Sequence, residues 1–244
     1  MKRHLAAGSF LLAISLLAQA GPAIQHVQKP IGDQAVKLPL LSGFSPACEE
    51  NAQIAERAQL MTPKTSVFLT CFVESGKWRS FIAGKSTDLY PYIAVVVQAP
   101  TTGGNFSPEQ FEKLRAVAHK QLGDLLSNTK AAQQQLSEQD RELAARGVPM
   151  TRGSYKQSLQ GFFEPIGATA SFSFLAIRGS TVSEAGATKV LSEVNAISTI
   201  LYYGKLLNLS VVDQTTASDQ GLRAQEITSK WLEAFRELNG IKNR

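Results

Sequence analysis

The chain has 244 residues, 43% hydrophobic and 18% charged, with 25 basic against 20 acidic residues. That composition is ordinary for a globular protein and excludes a disordered or low-complexity chain. The basic residues are scattered rather than gathered on one stripe, which excludes the electrostatic footprint of a nucleic-acid binder.

Residues 1–20 read as an export signal. Lys2 and Arg3 supply a positive start, Leu5 to Leu17 an apolar run, and Ala18-Gln19-Ala20 the small-x-small pattern a signal peptidase needs. Cleavage is expected between Ala20 and Gly21. The apolar run is too short for a comfortable transmembrane helix, so no integral membrane span is expected in the mature chain. The expected location is periplasmic or secreted, where ATP is absent and disulfides persist. Lys2 and Arg3 leave with the signal, and the basic excess falls to three. Residues 21–35, rich in Pro, Gly and Gln, are expected to be a flexible mature N-terminus. Residues 36–244 have the length of a single domain with a core of its own.

A short extended piece is expected at Val36–Leu41. Ser45-Pro46 reads as a helix start, with proline at the first helical position, and the helix ends before Thr62-Pro63. Thr65–Glu74 alternates with period two, Val67, Leu69, Cys71 and Val73 against Phe68, Thr70 and Phe72, which predicts a strand. Ser75-Gly76 is expected to turn into a second strand over Lys77–Ala83. Tyr90–Ala99 contains six successive residues without charge, Tyr92 to Val97, as a central strand covered on both faces does.

Ser107-Pro108-Glu109-Gln110 is a capping box with proline at the first helical position, and Phe106 and Phe111 sit at hydrophobic-staple positions. Phe111, Leu114, Ala118, Leu122, Leu125 and Leu126 then form one apolar helix face. The segment 129–146 is expected to be a polar helical arm with Leu136 and Leu143 as its apolar anchors. One reading makes it a solvated extension. The other makes Leu136 and Leu143 contacts to another protein, seven residues apart on one face. Further strands are expected at Leu159–Glu164, Thr169–Arg178, Val190–Tyr202 and Leu206–Asp213, the last two flanking a tight hairpin at Gly204-Lys205. Ile227, Trp231, Ala234, Phe235 and Leu238 give a final amphipathic helix stopped by Asn239-Gly240. This order predicts an α+β fold, a mostly antiparallel sheet of about six to seven strands flanked by three helices. The expected core is Val67, Leu69, Val95, Val97, Phe111, Leu122, Phe172, Phe174, Leu201, Trp231 and Phe235.

Cys48 and Cys71 are the two cysteines. Neither follows the cleavage point, which removes the lipoprotein arrangement. An even pair in an oxidising compartment predicts a disulfide that adds roughly 3 kcal/mol by closing its loop in the unfolded chain. The alternative is two buried thiols that never meet. The spacing is not C-x-x-C, so a redox-active dithiol is not expected.

Catalytic and ligand-binding patterns fail one by one. The mature chain keeps His26 and His119, which with two distant cysteines do not make a zinc set. Gly84-Lys85-Ser86 resembles the end of a phosphate-binding loop, but Arg79 stands where that motif needs glycine. Ser127-Asn128-Thr129-Lys130 matches S-x-x-K without the partner motifs of serine acylases. Glu49-Glu50 and Asp140/Glu142 are expected on solvated helix faces. No catalytic, cofactor-binding or metal residue is assigned, and no nucleotide is expected.

The element order, with Leu41-Ser42-Gly43-Phe44 at the entry, the hairpin Tyr202-Tyr203-Gly204-Lys205-Leu206-Leu207 and the closing Trp231/Phe235 helix, resembles the Mog1/PsbP-like fold of small exported bacterial proteins. The resemblance spans roughly residues 36–240 and implies a binding or assembly module without shared catalytic residues. The expected function is therefore that of an exported, non-enzymatic accessory module binding another envelope protein. The competing expectation is an envelope hydrolase whose site is assembled from distant residues.

Overall fold

The computed structural model describes residues 24–145, 150–164, 170–184, 187–214 and 221–241. Its strands are β1 (His26–Ile31), β2 (Gln34–Pro39), β3 (Phe44–Ser45), β4 (Ser66–Glu74), β5 (Tyr92–Gln98), β6 (Met150–Phe163), β7 (Ser171–Glu184), β8 (Ala187–Tyr202) and β9 (Lys205–Gln214). Its helices are α1 (Ala47–Glu50), α2 (Ala52–Leu60), α3 (Ser75–Ile82), α4 (Ala99–Thr102), α5 (Pro108–Ser127), α6 (Thr129–Ala145) and α7 (Leu222–Leu238). The fold class is α+β. Seven strands form one sheet in the order β3-β4-β5-β9-β8-β7-β6, with every neighbouring pair antiparallel. Of the three expected helices, the first is broken at Asn51 into α1 and α2, the long one is α5 with α6 following it after Asn128, and the last is α7.

The sheet has two halves, each built from strands that follow one another in the chain. A single ladder joins them, from Tyr92↔Val212 to Val97↔Leu207. On one face Ile93, Val95, Val97, Leu207 and Leu209 meet Trp231, Leu232 and Phe235 of α7. The α7 stripe runs Ala224, Thr228, Trp231, Leu232, Phe235, the i, i+4, i+7, i+8 spacing of one helical face. Gly221 admits the chain to α7 at φ +85°, and a Cβ there would lie 2.7 Å from Val194 and 2.9 Å from Leu175. On the other face α5 packs Phe111 and Ala118 on Phe172, Phe174 and Leu206. Beside it, α1 and α3 pack Ala47, Cys48 and Trp78 on Cys71 and Val73. The capping box forms: Ser107 Oγ accepts the Gln110 N–H at 3.2 Å, and Gln110 Oε1 accepts the Ser107 N–H at 2.7 Å.

Four expectations are corrected. The first concerns the flexible N-terminus of residues 21–35. Its described part is ordered: β1 pairs with β2 across Gly32-Asp33, and the hairpin covers α7 with Ile31, Val36 and Leu38, all at most 1% exposed. Pro30 is tolerated because a two-stranded ribbon has only edge strands. Second, the strand expected over Lys77–Ala83 is instead the body of α3 to Ile82, with Ala83 as its C-cap, because Trp78, Phe81 and Ile82 stand at i, i+3 and i+4. Trp78 is buried and stacks on Phe81 at 5.6 Å. Third, a bulge between Phe68 and Thr70 shifts the phase of β4. Phe72 then faces α7, Cys71 and Val73 face the opposite side, and Val67 is 45% exposed instead of core. Fourth, α6 does not stand off as an arm. Buried Gln139 donates its amide to the Met61 carbonyl at 2.8 Å, and Glu142 meets Lys64 at 2.9 Å. A helix with so few apolar residues docks through polar groups.

The β8–β9 hairpin turns on Tyr203-Gly204, both at positive φ (45° and 76°), one residue earlier than expected. That is the twist-compatible two-residue turn. A Cβ on Gly204 would sit 2.9 Å from Asn105, whose loop packs beneath.

Candidate functional site

α1 is one turn long, yet three successive residues tie it to three other elements. Cys48 is disulfide-bonded to Cys71 of β4. Glu49 accepts Lys29 Nζ of β1 at 2.7 Å and Thr70 Oγ1 of β4 at 3.0 Å. Glu50 accepts the Trp78 indole N–H of α3 at 2.5 Å. The pair Glu49-Glu50 is exposed, as expected of a solvated helix face, and is also an anchor. The sequence carries no local signal for this, because the three partners lie outside the helix.

A buried carboxylate sits across the sheet. Glu193 of β8, 4% exposed, lies opposite Arg178 of β7. It accepts Arg178 Nε at 2.5 Å, Arg178 Nη2 and the Tyr90 hydroxyl. Burial pushes the Tyr90 phenol well above its ordinary range, and the negative charge of Glu193 adds to it. The phenol stays protonated and the carboxylate is clamped by a guanidinium. The arrangement ties the loop before β5 to the far half of the sheet.

A cleft of about 360 Å³ opens where β6 meets β7, lined by Ser127, Lys156, Gln157, Ser158, Ile177 and Gly179. Its origin is the register, which sets Lys156 opposite Gly179 and Ser158 opposite Ile177. Gly179 leaves a hole in the row, and a Cβ built there meets nothing within 4 Å. Lys156 is exposed, and among the described residues no acid pairs with it. Ser127 donates its hydroxyl to the Asp124 carbonyl at 2.9 Å, and Ser158 Oγ accepts Gln160 Nε2 at 3.0 Å. The cleft offers hydrogen-bonding groups and one ammonium.

The other candidates scatter. Exposed His119 stacks on Phe162 at 3.9 Å, and His26 is exposed on β1. Gly84-Lys85-Ser86 is a turn after α3 in which Ser86 Oγ accepts the Asp88 N–H at 3.0 Å. Asp88 also meets Lys77 Nζ at 2.5 Å; burial opposes ionisation, but the Lys77 and Tyr90 hydrogen bonds hold its carboxyl below the usual range. Leu136 is half-buried on α6, and the Leu143 side chain lies outside the described residues, as does residue 146. Among the described residues no His, Cys, Asp and Glu group could hold a metal, and no helix is long and apolar enough to cross a membrane.

The architecture defines an α+β protein with helices on both faces of an antiparallel sheet. No family model and no curated protein matches the chain. Among solved structures it is similar to the Ran-binding protein Mog1p of Saccharomyces cerevisiae, with TM-score 0.38 and 12% identity over 88% of this chain and 94% of that one. A mutant of protein Mog1 gives TM-score 0.36 and 10% identity over the same shares. At these values the likeness carries neither a site nor a partner to this chain.

Proposed function

We propose that the chain is an exported, non-catalytic binding module that attaches to another protein of the envelope. The observation that carries this reading is the cleft at the outer strand. Among the described residues β6 hydrogen-bonds to a neighbouring strand on one side only, and beside it Lys156, Gln157 and Ser158 present groups suited to recognition. Export is supported by the charged, apolar and small-residue pattern of residues 1–20, and by the Cys48–Cys71 bond, which suits an oxidising compartment. The test is capture of the tagged full chain from crosslinked envelope, with N-terminal sequencing of the recovered protein. The expected result is a mature chain starting at Gly21 and one reproducible crosslinked partner. A chain recovered with residues 1–20 attached and without a partner would overturn the reading.

A hydrolase reading has one observation in its favour, since Ser127 and Lys156 line the same cleft. Ser127 is committed to the Asp124 carbonyl and Lys156 is exposed, so neither is activated. A fluorophosphonate probe is expected to leave Ser127 unlabelled; labelling there would favour the enzyme.

A further inference from the structure

We propose that the outer edge of β6, with the recess over Gly179, is a strand-addition site for an extended, acidic segment of another protein. This rests on the binding-module reading and specifies its partner. β6 is 14 residues long and pairs only with β7 among the described residues. An outer strand presents a row of backbone donors and acceptors that an added strand can pair, and side-chain pockets along it give selectivity. The strand is held rigid from behind, because Leu159 and Phe162 pack into the cluster under α5.

Charge chooses the occupant. The charged residues of β6 are Arg152 and Lys156, with no acid among its 14 residues. Pairing with a second copy would bring two cationic edges together, and like charges across strands are destabilising. A strand with Asp or Glu opposite Lys156 is attracted instead. The recess sets the next requirement. Lys156 and Ser158 lie on one face, opposite Gly179 and Ile177. A residue two positions from the acid, on the same face, reaches over the short Ser158 towards Ile177 and is expected to be apolar. The recognised pattern is acidic-x-apolar in extended conformation.

The probes are fluorescein-labelled ten-residue peptides of alternating Thr and Val, with Glu, Ser or Lys at one central Val position, so that valine stands two residues from the acid on the same face. Binding to the oxidised mature protein is read by fluorescence anisotropy, and the bound edge by amide hydrogen exchange. The Glu peptide is expected to bind at least tenfold tighter than the Lys peptide and to protect amides within Lys156–Gln160. Lys156→Glu should invert the preference. Gly179→Val should weaken binding at least tenfold with an unchanged urea midpoint, since its Cβ meets nothing within 4 Å and valine suits a strand. Equal binding of Glu and Lys peptides, no binding of any peptide, or no protection in β6 would overturn the proposal. So would concentration-dependent dimerisation lost in Gly179→Val, which would assign the edge to a second copy. If both variants still capture the native partner, strand addition fails and the binding-module reading survives. If the unaltered protein captures none, that reading fails whatever the peptides do.

Discussion

Asn239, the C-cap of α7, holds the N-terminal hairpin to the last helix. Its Oδ1 accepts the Lys37 N–H at 3.2 Å, and its Nδ2 donates to the Lys37 carbonyl at 2.8 Å, so the amide pairs with β2 as another peptide would. The same Oδ1 accepts the Tyr202 hydroxyl at 3.0 Å, and Nδ2 also reaches the Phe235 carbonyl at 2.8 Å. Asn239→Ala removes all four bonds. The Lys37 groups are exposed and regain water, and Tyr202 keeps the Ala35 carbonyl at 3.3 Å, so the full sum is not lost. With roughly 0.5–1.5 kcal/mol net for each bond, discounted for the rehydrated pair, the expected cost is about 2–3 kcal/mol. Urea unfolding at neutral pH should show a lower midpoint with an unchanged slope. Asn239→Asp keeps the two acceptor contacts but sets a carboxylate against two carbonyls, and should be no more stable than alanine. A loss below about 0.5 kcal/mol for alanine would refute the clamp, because the hairpin would then be held by Ile31, Val36 and Leu38 alone.

Cys48→Ser and Cys71→Ser should each cost about 3 kcal/mol for a bond spanning 23 positions, and the double variant no more than either; the mass of the untreated protein should be two hydrogens below that of the reduced chain. Trp231→Ala should cost about 3–5 kcal/mol in urea unfolding. Trp231→Phe should cost far less, because the buried indole Nε1 has no hydrogen-bond partner among the described residues. The folded Tyr90 phenol is raised above its unfolded value of 10.0 by burial and then by Glu193. Its contribution is therefore complete below pH 10.0 and is lost as pH rises beyond it. Burial, with Tyr203 adding, shifts Tyr202 in the same direction. Stability should fall by about 1.4 kcal/mol per pH unit as Tyr90 titrates in the unfolded chain, and Tyr90→Phe should flatten the alkaline slope of the urea midpoint. An unchanged slope in that variant would show that Tyr90 does not titrate late.

What the sequence made legible is what neighbouring residues decide. The start of α5 needs only Ser107, Pro108 and Gln110, and β5 only its uncharged run. The α7 stripe needs only helical spacing. What stayed hidden depends on partners elsewhere. Leu69 looks like any alternating residue until β5 opposes it and the bulge appears. Three apolar residues in α3 fit either a short helix or a strand, and the Trp78 bond to Glu50 decides. The β1–β2 hairpin hides behind Gln and Pro, since Val27, Ile31, Val36 and Leu38 alternate too sparsely to stand out. Tyr90 and Glu193 are 103 positions apart, so no spacing rule finds them. The cleft is of the same kind. Neither Lys156 nor Gly179 is notable alone, and the β6–β7 register makes them neighbours.

The single ladder between the two halves of the sheet has a kinetic consequence. Each half pairs strands that follow one another in the chain, β6 to β9 directly and β3 to β5 through helical connections, so its closures are more local than the join. Joining them brings residues 92–97 to residues 207–212, a closure whose entropy is lost before its contacts are gained. The elements that cover this join come from opposite ends of the described chain: the β1–β2 hairpin from one, α7 from the other. A chain stopped before α7 would hold two formed halves with Ile93, Val95, Leu207 and Leu209 bare to water. The final seventeen-residue helix thus decides whether the polypeptide is one folding unit or two sticky fragments.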